Sequence, residues 1–148
     1  MKIIILGAGQ VGASLAESLV SEENDITIVD TDAGRLAHLQ DRLDLRAVTG
    51  NAAWPSVLRD AGADDADLLI AVTQSDQTNL VACKVAKSVF NLPTRIARLR
   101  SGDFLRNEVL LSDENFAVDF ALCPEEIVTD YVAKLVEFPE ALQVVEFA

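Results

Sequence analysis

The first thirty residues constrain the fold of this chain more than any other segment. The apolar run Ile3–Leu6 is followed directly by the glycine pattern GAGQVG (Gly7–Gly12), a helical stretch, a second apolar run and Asp30. A G-x-G-x-x-G pattern alone is a weak signal, but here it follows a predicted strand and opens a predicted helix. This order predicts the first half of a nucleotide-binding βαβ unit.

The glycine loop is predicted to approach phosphate. Gly7 allows the tight turn, Gly9 lets the backbone approach a pyrophosphate, and Gly12 lets the helix pack closely on the strand. The N-terminus of that helix, predicted over Gln10–Val20, offers unpaired N–H groups and a partial positive charge to phosphate oxygens. The predicted ligand-binding residues of the loop are Gly7, Ala8, Gly9, Gln10 and Val11.

The carboxylate at the end of the second strand indicates the kind of nucleotide. Asp30 follows the glycines at roughly 20 residues, where a carboxylate accepts hydrogen bonds from the adenosine ribose. Its charge would repel a 2′-phosphate, and Thr31, not a basic residue, comes next. The sequence therefore predicts NAD(H) or another adenosine nucleotide over NADP(H), with Asp30 and Thr31 in the site. The alternative, an ordinary turn between strand and helix, leaves Asp30 unexplained.

Composition excludes several classes of protein. The 148 residues suffice for one domain, and 50 % of them are hydrophobic but only 5 % aromatic, which is typical of an aliphatic parallel-sheet core. The net charge of −12 argues against a nucleic-acid partner and against adhesion to anionic lipid. Apolar runs are too short to span a bilayer, so no direct membrane insertion is expected. Cys83 and Cys123 form no metal or disulfide pattern, which favours reduced thiols in an intracellular protein.

Strands and helices alternate along the chain, which requires parallel pairing with right-handed crossovers. We predict an α/β fold, a Rossmann-like doubly wound parallel sheet of six strands with helices on both faces and a ligand crevice beyond strands one and four. The predicted strands are Lys2–Leu6, Asp25–Val29, Arg46–Thr49, Asp67–Thr73, Thr94–Leu99 and Ala117–Leu122. The predicted helices after the first are Ala33–Asp41, Pro55–Ala61, Ser75–Phe90, Asp103–Leu111 and Pro124–Glu137.

The chain divides into two predicted parts. Residues 1–138 are expected to form the nucleotide-binding domain, including the last helix. Residues 139–148 contain an alternating, strand-like pattern over Ala141–Phe147 with nothing to pair with. We therefore expect this segment to be the start of a truncated C-terminal subdomain.

Loops after the remaining strands supply further candidates, because function in this fold lies at the carboxyl ends of strands. Gly50, Asn51 and Ala52 are predicted to form a flexible turn with an amide able to reach an adenine edge. Thr73, Gln74 and Ser75 are predicted to face the far ribose or nicotinamide, with Asn79 one turn into the next helix.

The fifth strand carries three arginines. Arg95 points to the opposite face from Arg98 and Arg100, which are candidates for a phosphate or partner contact. The pattern leaves open whether these two are instead solvated charges at a strand end.

The chain lacks the residues expected of a dehydrogenase, which needs an acid or base beside the nicotinamide. The single histidine, His38, and the single tyrosine, Tyr131, lie outside the predicted crevice loops, and Trp54 is expected to pack on the protein. We predict a binding module, not an enzyme, with no catalytic residue and no metal ligand.

Several segments resemble the TrkA-type regulatory subunits of bacterial Trk potassium uptake systems. The resemblance covers the whole chain and is carried by Met1–Gly12 together with Asp25–Asp32. Further matching segments are Ala61–Asp67, Ala71–Asn79, Arg95–Arg100 and Ala141–Ala148.

The resemblance implies an RCK (KTN) N-terminal domain that binds NAD(H) or ATP/ADP and controls conduction. The implied partner is a membrane-embedded potassium transporter subunit, which would hold this cytoplasmic protein at the inner face of the membrane. Self-association as a dimer, through the last helix at Pro124–Phe138, and as a higher ring is also implied. The implied ligand contacts are Gly7–Val11, Asp30, Asn51, Ala52, Thr73, Gln74 and Arg98.

Two alternatives stay open at this point. The chain could be the nucleotide-binding fragment of an NAD-dependent oxidoreductase, which NADH oxidation by the full-length protein would favour. It could also be a structural dimer with a vestigial crevice, which would bind no adenosine nucleotide.

Overall fold

The computed structural model describes residues 1–122 together with Val132, Val136 and Glu137. Within these residues the chain forms one six-stranded, all-parallel sheet covered by helices. The strands are β1 (Lys2–Leu6), β2 (Asp25–Asp30), β3 (Arg46–Thr49), β4 (Leu68–Ala71), β5 (Thr94–Arg98) and β6 (Phe120–Leu122). The helices are α1 (Gln10–Leu19), α2 (Ala33–Arg42), α3 (Pro55–Asp60), α4 (Asp76–Phe90), α5 (Gly102–Leu105) and α6 (Glu108–Leu111).

The strand order β3-β2-β1-β4-β5-β6 places β1 at the centre of the sheet. The chain winds outward from β1 to β3 on one side and from β4 to β6 on the other, so the winding reverses between β1 and β4. Leu6 is in register with both Val29 of β2 and Ala71 of β4, and the three strands therefore end at the same level. The predicted doubly wound Rossmann-like sheet is confirmed, and its crevice lies at this reversal.

Alternation along β1 builds a separate core on each face of the sheet. Ile3 and Ile5 pack with residues of α1 and α2, including Leu15. Ile4 and Leu6 pack with residues of α3 and α4 on the opposite face. Because both faces are covered, β1 and β4 are apolar and buried almost throughout, as expected for central parallel strands.

The prediction of one continuous helix over Asp103–Leu111 is wrong, because the structure has two single helical turns there, α5 and α6. The side chain of Asn107 accepts a hydrogen bond from Leu110 N at 3.1 Å. Asn107 thereby caps a new helix start and interrupts the first, because a short polar side chain competes for local backbone N–H groups.

The sixth strand begins three residues later than predicted. Ala117 has φ of 58°, a left-handed conformation that is incompatible with an extended strand. The Asp119 carboxylate accepts a hydrogen bond from Arg95 N at 2.8 Å and lies 3.2 Å from Arg95 Nη2. These contacts hold the turn before β6 on β5 and pair the buried Arg95 guanidinium with a carboxylate.

Two further expectations have definite outcomes. Trp54 is 59 % exposed, so the prediction that it packs on the protein is wrong.

Cys83 is a buried, free thiol on α4. Burial raises its pKa to about 12, although the nearby Arg95 partly opposes this shift.

The remaining predictions fall on the C-terminal segment. Most of the predicted helix Pro124–Glu137 lies outside the described residues, as does Cys123. Val132 and Val136 are buried against the core of α1 and α2. The division into residues 1–138 and 139–148 stays a prediction.

Candidate functional site

A cavity of about 520 Å³ opens at the carboxyl ends of the central strands, where the winding reverses. Its walls are the loops after β1, β2, β3, β4 and β5. Of the twelve site residues predicted from sequence, eleven line it: Gly7, Gly9, Gln10, Val11, Asp30, Thr31, Asn51, Ala52, Thr73, Gln74 and Arg98. The fold therefore brings residues from five separate loops to one place.

Ala8 is the predicted site residue that does not line the cavity. It is buried, and its backbone N–H donates to Asp30 Oδ1 at 2.9 Å. Ala8 therefore ties the glycine loop to the end of β2 and leaves the lining to Gly7 and Gly9.

The three glycines of the loop differ in what a side chain would meet. Gly7 has φ of +108°, and a Cβ there would lie 2.9 Å from the carbonyl oxygen of Val72. A Cβ on Gly12 would lie 1.7 Å from the carbonyl oxygen of Gly7, so only glycine allows α1 to pack this closely. A Cβ on Gly9 would meet only the end of the Arg35 side chain, at 3.9 Å. At Gly9, therefore, the fold itself has room for a side chain, and the absent Cβ keeps the cavity open.

Asp30 fixes the β2 side of the site. Its Oδ1 accepts from Ala8 N and its Oδ2 accepts from Asp32 N, both at 2.9 Å. Each carboxylate oxygen has a second lone pair, so the group can also accept hydroxyl hydrogen bonds. The carboxylate thus both shapes the glycine loop and presents an acceptor to the cavity.

The two candidate arginines of the fifth strand differ in exposure. Arg98 is 5 % exposed, and its Nη1 lies 3.5 Å from the carbonyl oxygen of Val72. It is therefore not a solvated charge at a strand end. Arg100 is exposed and also lines the cavity, and its backbone N–H donates to the Asp76 carboxylate at 3.0 and 3.1 Å.

Asn79 organises the loops after β4 and β5, a role that its spacing in the sequence does not reveal. It is 0 % exposed, and its Oδ1 accepts from Thr73 N at 3.0 Å and Thr73 Oγ1 at 2.7 Å. Its Nδ2 donates to the carbonyl oxygen of Arg98 at 2.8 Å. One amide therefore fixes Thr73 and Arg98, both of which line the cavity.

Sequence reasoning missed several lining residues. Asp32 caps α2 by accepting hydrogen bonds from Gly34 N and Arg35 N, and Asp32 and Arg35 both line the cavity. Their spacing of three on a helix that starts just after Asp30 is a signal that could have found them. The other missed lining residues are Val29, Val72 and Thr78, whereas Gly50 and Ser75 line the cavity beside Asn51 and Gln74 as expected from the loops after the third and fourth strands.

The described part of the chain contains neither a metal-binding cluster nor a helix suited to span a membrane. No three histidine, cysteine or acidic side chains among these residues are grouped so as to hold a metal ion. The longest helix there, α4, has 15 residues, and none of its helices has both the length and the apolar character of a membrane span.

Together, the strand order, the glycine loop on the N-terminus of α1 and the acidic residue ending β2 define a domain of the Rossmann class. Comparison with known proteins narrows this class. The family model of the TrkA-N domain matches residues 3–115, and the chain belongs to the TrkA-N domain family.

Relatives and solved structures agree with this assignment. The Trk system potassium uptake protein TrkA of Vibrio alginolyticus is 57 % identical over 149 residues, which cover 100 % of this chain and 32 % of that protein. The TrkA-N domain of the inner membrane protein ybaL from Escherichia coli superposes with a TM-score of 0.73 at 22 % identity, over 90 % of this chain and 95 % of that one. The GsuK channel bound to NAD superposes with a TM-score of 0.67 at 19 % identity, over 82 % of this chain and 21 % of that one.

At such low identities the two structural likenesses show the fold alone. The chain spans about a third of the length of the curated relative described above.

Proposed function

We propose that this chain is the nucleotide-sensing domain of a regulatory subunit in a potassium uptake system. It binds NAD(H) or ATP/ADP and thereby controls conduction through a membrane-embedded potassium transporter subunit. The observation that carries the proposal is the convergence of eleven predicted ligand-binding residues on one cavity at the reversal of the sheet. Membership of the TrkA-N family and the potassium uptake relative support the transport context.

The residues present fit an adenosine nucleotide. The backbone of Gly7–Val11 and the first N–H groups of α1 would hold phosphate oxygens, because no side chain caps that helix and its first turn carries no acidic residue. Asp30 and Thr31 would hold the adenosine ribose, and Asn51 and Ala52 the adenine edge. NADP(H) is expected to bind more weakly than NAD(H), because its 2′-phosphate would lie near the negatively charged Asp30 carboxylate.

The far end of the cavity would distinguish one nucleotide from another. Thr73, Gln74 and Arg98 lie on the loops after β4 and β5 and would meet the nicotinamide half of NAD(H) or the outer phosphates of ATP. Asn79 joins these two loops through its hydrogen bonds. A ligand that contacts both loops would therefore change the stability of the loop after β4 relative to that of the loop after β5.

Regulation in this proposal needs no chemical step. Different nucleotides favour different geometries of a ring of subunits, and only their difference in affinity for the two geometries shifts the equilibrium. A coupling free energy of about 1–3 kcal/mol would be ordinary for such a switch. The protein works at the cytoplasmic face of the membrane as a dimer and a higher ring, attached through the transporter subunit.

Calorimetric titration of the purified chain with NADH, NAD, ATP and ADP in parallel tests whether it binds these nucleotides. We expect binding with clear differences among the four ligands. Absence of binding by all four would overturn the proposal and favour a vestigial crevice. Catalytic NADH oxidation by the full-length protein with a small carbonyl substrate would favour the oxidoreductase alternative instead.

Potassium flux tests the regulatory half. Vesicles containing the membrane subunit and the full-length regulatory protein should show flux that changes with the nucleotide supplied. Flux that is the same with every nucleotide, and the same without the regulatory protein, would contradict the proposed control.

A further inference from the structure

Arg35 is a cavity residue to which the sequence assigned no role. It lies in the first turn of α2, and its Nη1 is the one protein atom, beyond the immediate chain neighbours, that a Cβ on Gly9 would meet within 4 Å. The guanidinium therefore lies over the backbone of Gly9, at the N-terminus of α1. We propose that Arg35 recognises the phosphate attached to the adenosine ribose, an inference that rests on the proposed nucleotide-binding function.

The charge environment of Arg35 leaves it able to bind an anion. Its Nε lies 3.7 Å from Asp32 Oδ2, and both side chains are 54 % exposed. Within the described residues the Arg35 side chain makes no other hydrogen bond or ion pair, and this contact does not involve Nη1. Asp32 therefore holds the stem of the side chain while the terminal nitrogens stay available at the cavity.

The position of Arg35 selects one phosphate among those of a nucleotide. Asp30 lies on the same β2–α2 side of the cavity, and its carboxylate is held there by Ala8 N and Asp32 N. A ribose on Asp30 carries its 5′-phosphate toward the N-terminus of α1, where that phosphate meets backbone N–H groups and the Arg35 guanidinium. The planar guanidinium suits this contact because it donates two parallel hydrogen bonds to one phosphate.

The proposal gives Arg35 a function that the arginines of β5 do not share. Arg98, the last residue of β5, and Arg100, two residues later, line the cavity from the β5 side, whereas Arg35 reaches it from α2. The adenosine 5′-phosphate is common to AMP, ADP, ATP and NAD(H). Arg35 therefore strengthens binding of all four by a similar factor and does not discriminate among them.

Calorimetry on the 148-residue chain tests the inference with adenosine, AMP, NADH and NADPH. In the Arg35→Ala variant we expect affinities for AMP and NADH to fall about tenfold, with the affinity for adenosine unchanged. Arg35→Lys should retain part of the affinity, because it keeps the charge but loses the planar fork. Arg42→Ala is the matched control, since Arg42 lies on the same helix and pairs with Glu17 at 2.6 Å outside the cavity.

Each contrary outcome identifies its cause. Equal losses for adenosine and AMP would overturn the phosphate contact in favour of a contact with the base or a structural role. A loss confined to NADPH would assign Arg35 to a 2′-phosphate and also overturn the proposal. Unchanged affinities in both Arg35 variants would remove it from the site. If the wild-type chain bound none of the four ligands, the proposed function itself would fail and the Arg35 inference with it.

Discussion

Gly9 and Gly12 lie three residues apart at the start of α1, yet the fold requires glycine only at position 12. A Cβ on Gly12 would overlap the carbonyl oxygen of Gly7, so this glycine serves the fold. A Cβ on Gly9 would meet only a movable arginine end, so this glycine serves the cavity. Sequence spacing cannot separate the two roles, whereas single substitutions can.

Replacing Gly9 with Ala should preserve the fold and weaken nucleotide binding. Gly9 has φ of −74°, which alanine also adopts, and we expect a loss of stability below about 1 kcal/mol. The methyl group would enter the phosphate position and lower NADH affinity at least about tenfold. Urea unfolding and calorimetry measure the two effects.

Gly12→Ala is the control for that experiment and should lose at least about 3 kcal/mol of stability, because the new methyl group meets backbone and not a flexible side chain. An alanine tolerated at position 12, or full NADH affinity with alanine at position 9, would contradict this division of roles.

Replacing Asp30 with Asn should weaken NADH binding and reduce the preference for NADH over NADPH. The variant loses the negative charge that disfavours a 2′-phosphate and one of the acceptors for Ala8 N and Asp32 N. We expect an NADH affinity about tenfold lower and an NADPH affinity that falls less. Asp25→Asn, at the opposite end of β2, is the matched control and should alter neither. A preference for NADH unchanged in Asp30→Asn would show that the carboxylate does not read the ribose.

At the scale of elements, the first turn of α4 joins two loops of the site. Asp76 accepts hydrogen bonds from Arg100 N and Ser101 N, the latter at 2.8 Å, and Asn79 connects Thr73 to the end of β5. The helix therefore does more than cover the sheet, because its polar first turn fixes the geometry of the far half of the cavity.

Asn79→Ala should destabilise the protein by about 2–3 kcal/mol, because buried partners at Thr73 and Arg98 lose their hydrogen bonds. Gln77→Ala, on the same turn but exposed, should change stability by less than about 0.5 kcal/mol. Urea unfolding of both variants checks the contrast. Equal stabilities would mean that the two loops hold their positions without Asn79.

Cys83, which is buried on α4, is expected to make the free energy of unfolding depend on pH. Burial raises the pKa of Cys83 to about 12, whereas an unfolded thiol titrates near about 8.5. As the pH rises between these values, the unfolded chain releases a proton that the native chain retains, so this contribution to stability is complete below about 8.5 and is lost above it. The limiting slope is about 1.4 kcal/mol per pH unit.

Urea unfolding of the wild type and Cys83→Ala under reducing conditions, at neutral pH and near pH 10, measures this dependence. We expect the wild type to lose stability relative to the variant as the pH increases. Parallel curves for the two proteins would show that Cys83 titrates normally and is not buried.

At the scale of the whole molecule, the cavity is assembled from loops that belong to five strands, with the two halves of the sheet meeting at β1 and β4. A nucleotide that spans this junction contacts both halves at once. Its binding should therefore stabilise the native chain as a unit, because a ligand that binds only the folded state shifts the unfolding equilibrium by mass action.

NADH at about 100 times its dissociation constant should add about 2.7 kcal/mol to the free energy of unfolding. Thermal unfolding with increasing NADH should accordingly show a rise in Tm of several degrees. The Gly9→Ala variant at the same NADH concentration should show a smaller rise. A Tm that did not change in the wild type, despite saturating ligand, would mean that no site for NADH forms in the folded chain.

The sequence by itself determined the sheet, the glycine loop and the position of Asp30, because each depends on residues close in the chain. Strand and helix periods, a strand–glycine–helix junction and a carboxylate at a strand end can all be read locally. The same reasoning predicted one helix over Asp103–Leu111 and did not foresee that Asn107 would cap a second turn.

Only the tertiary structure decided which side chains meet across the loops. It buries Arg98 while exposing Trp54, it sets Asn79 against the end of β5, and it brings Arg35 over Gly9. No periodic pattern or motif in the sequence indicates these contacts and exposures, because each depends on which strands become neighbours and where their loops close. Local patterns therefore predict where a ligand would bind, and long-range packing determines which residues are placed to recognise it.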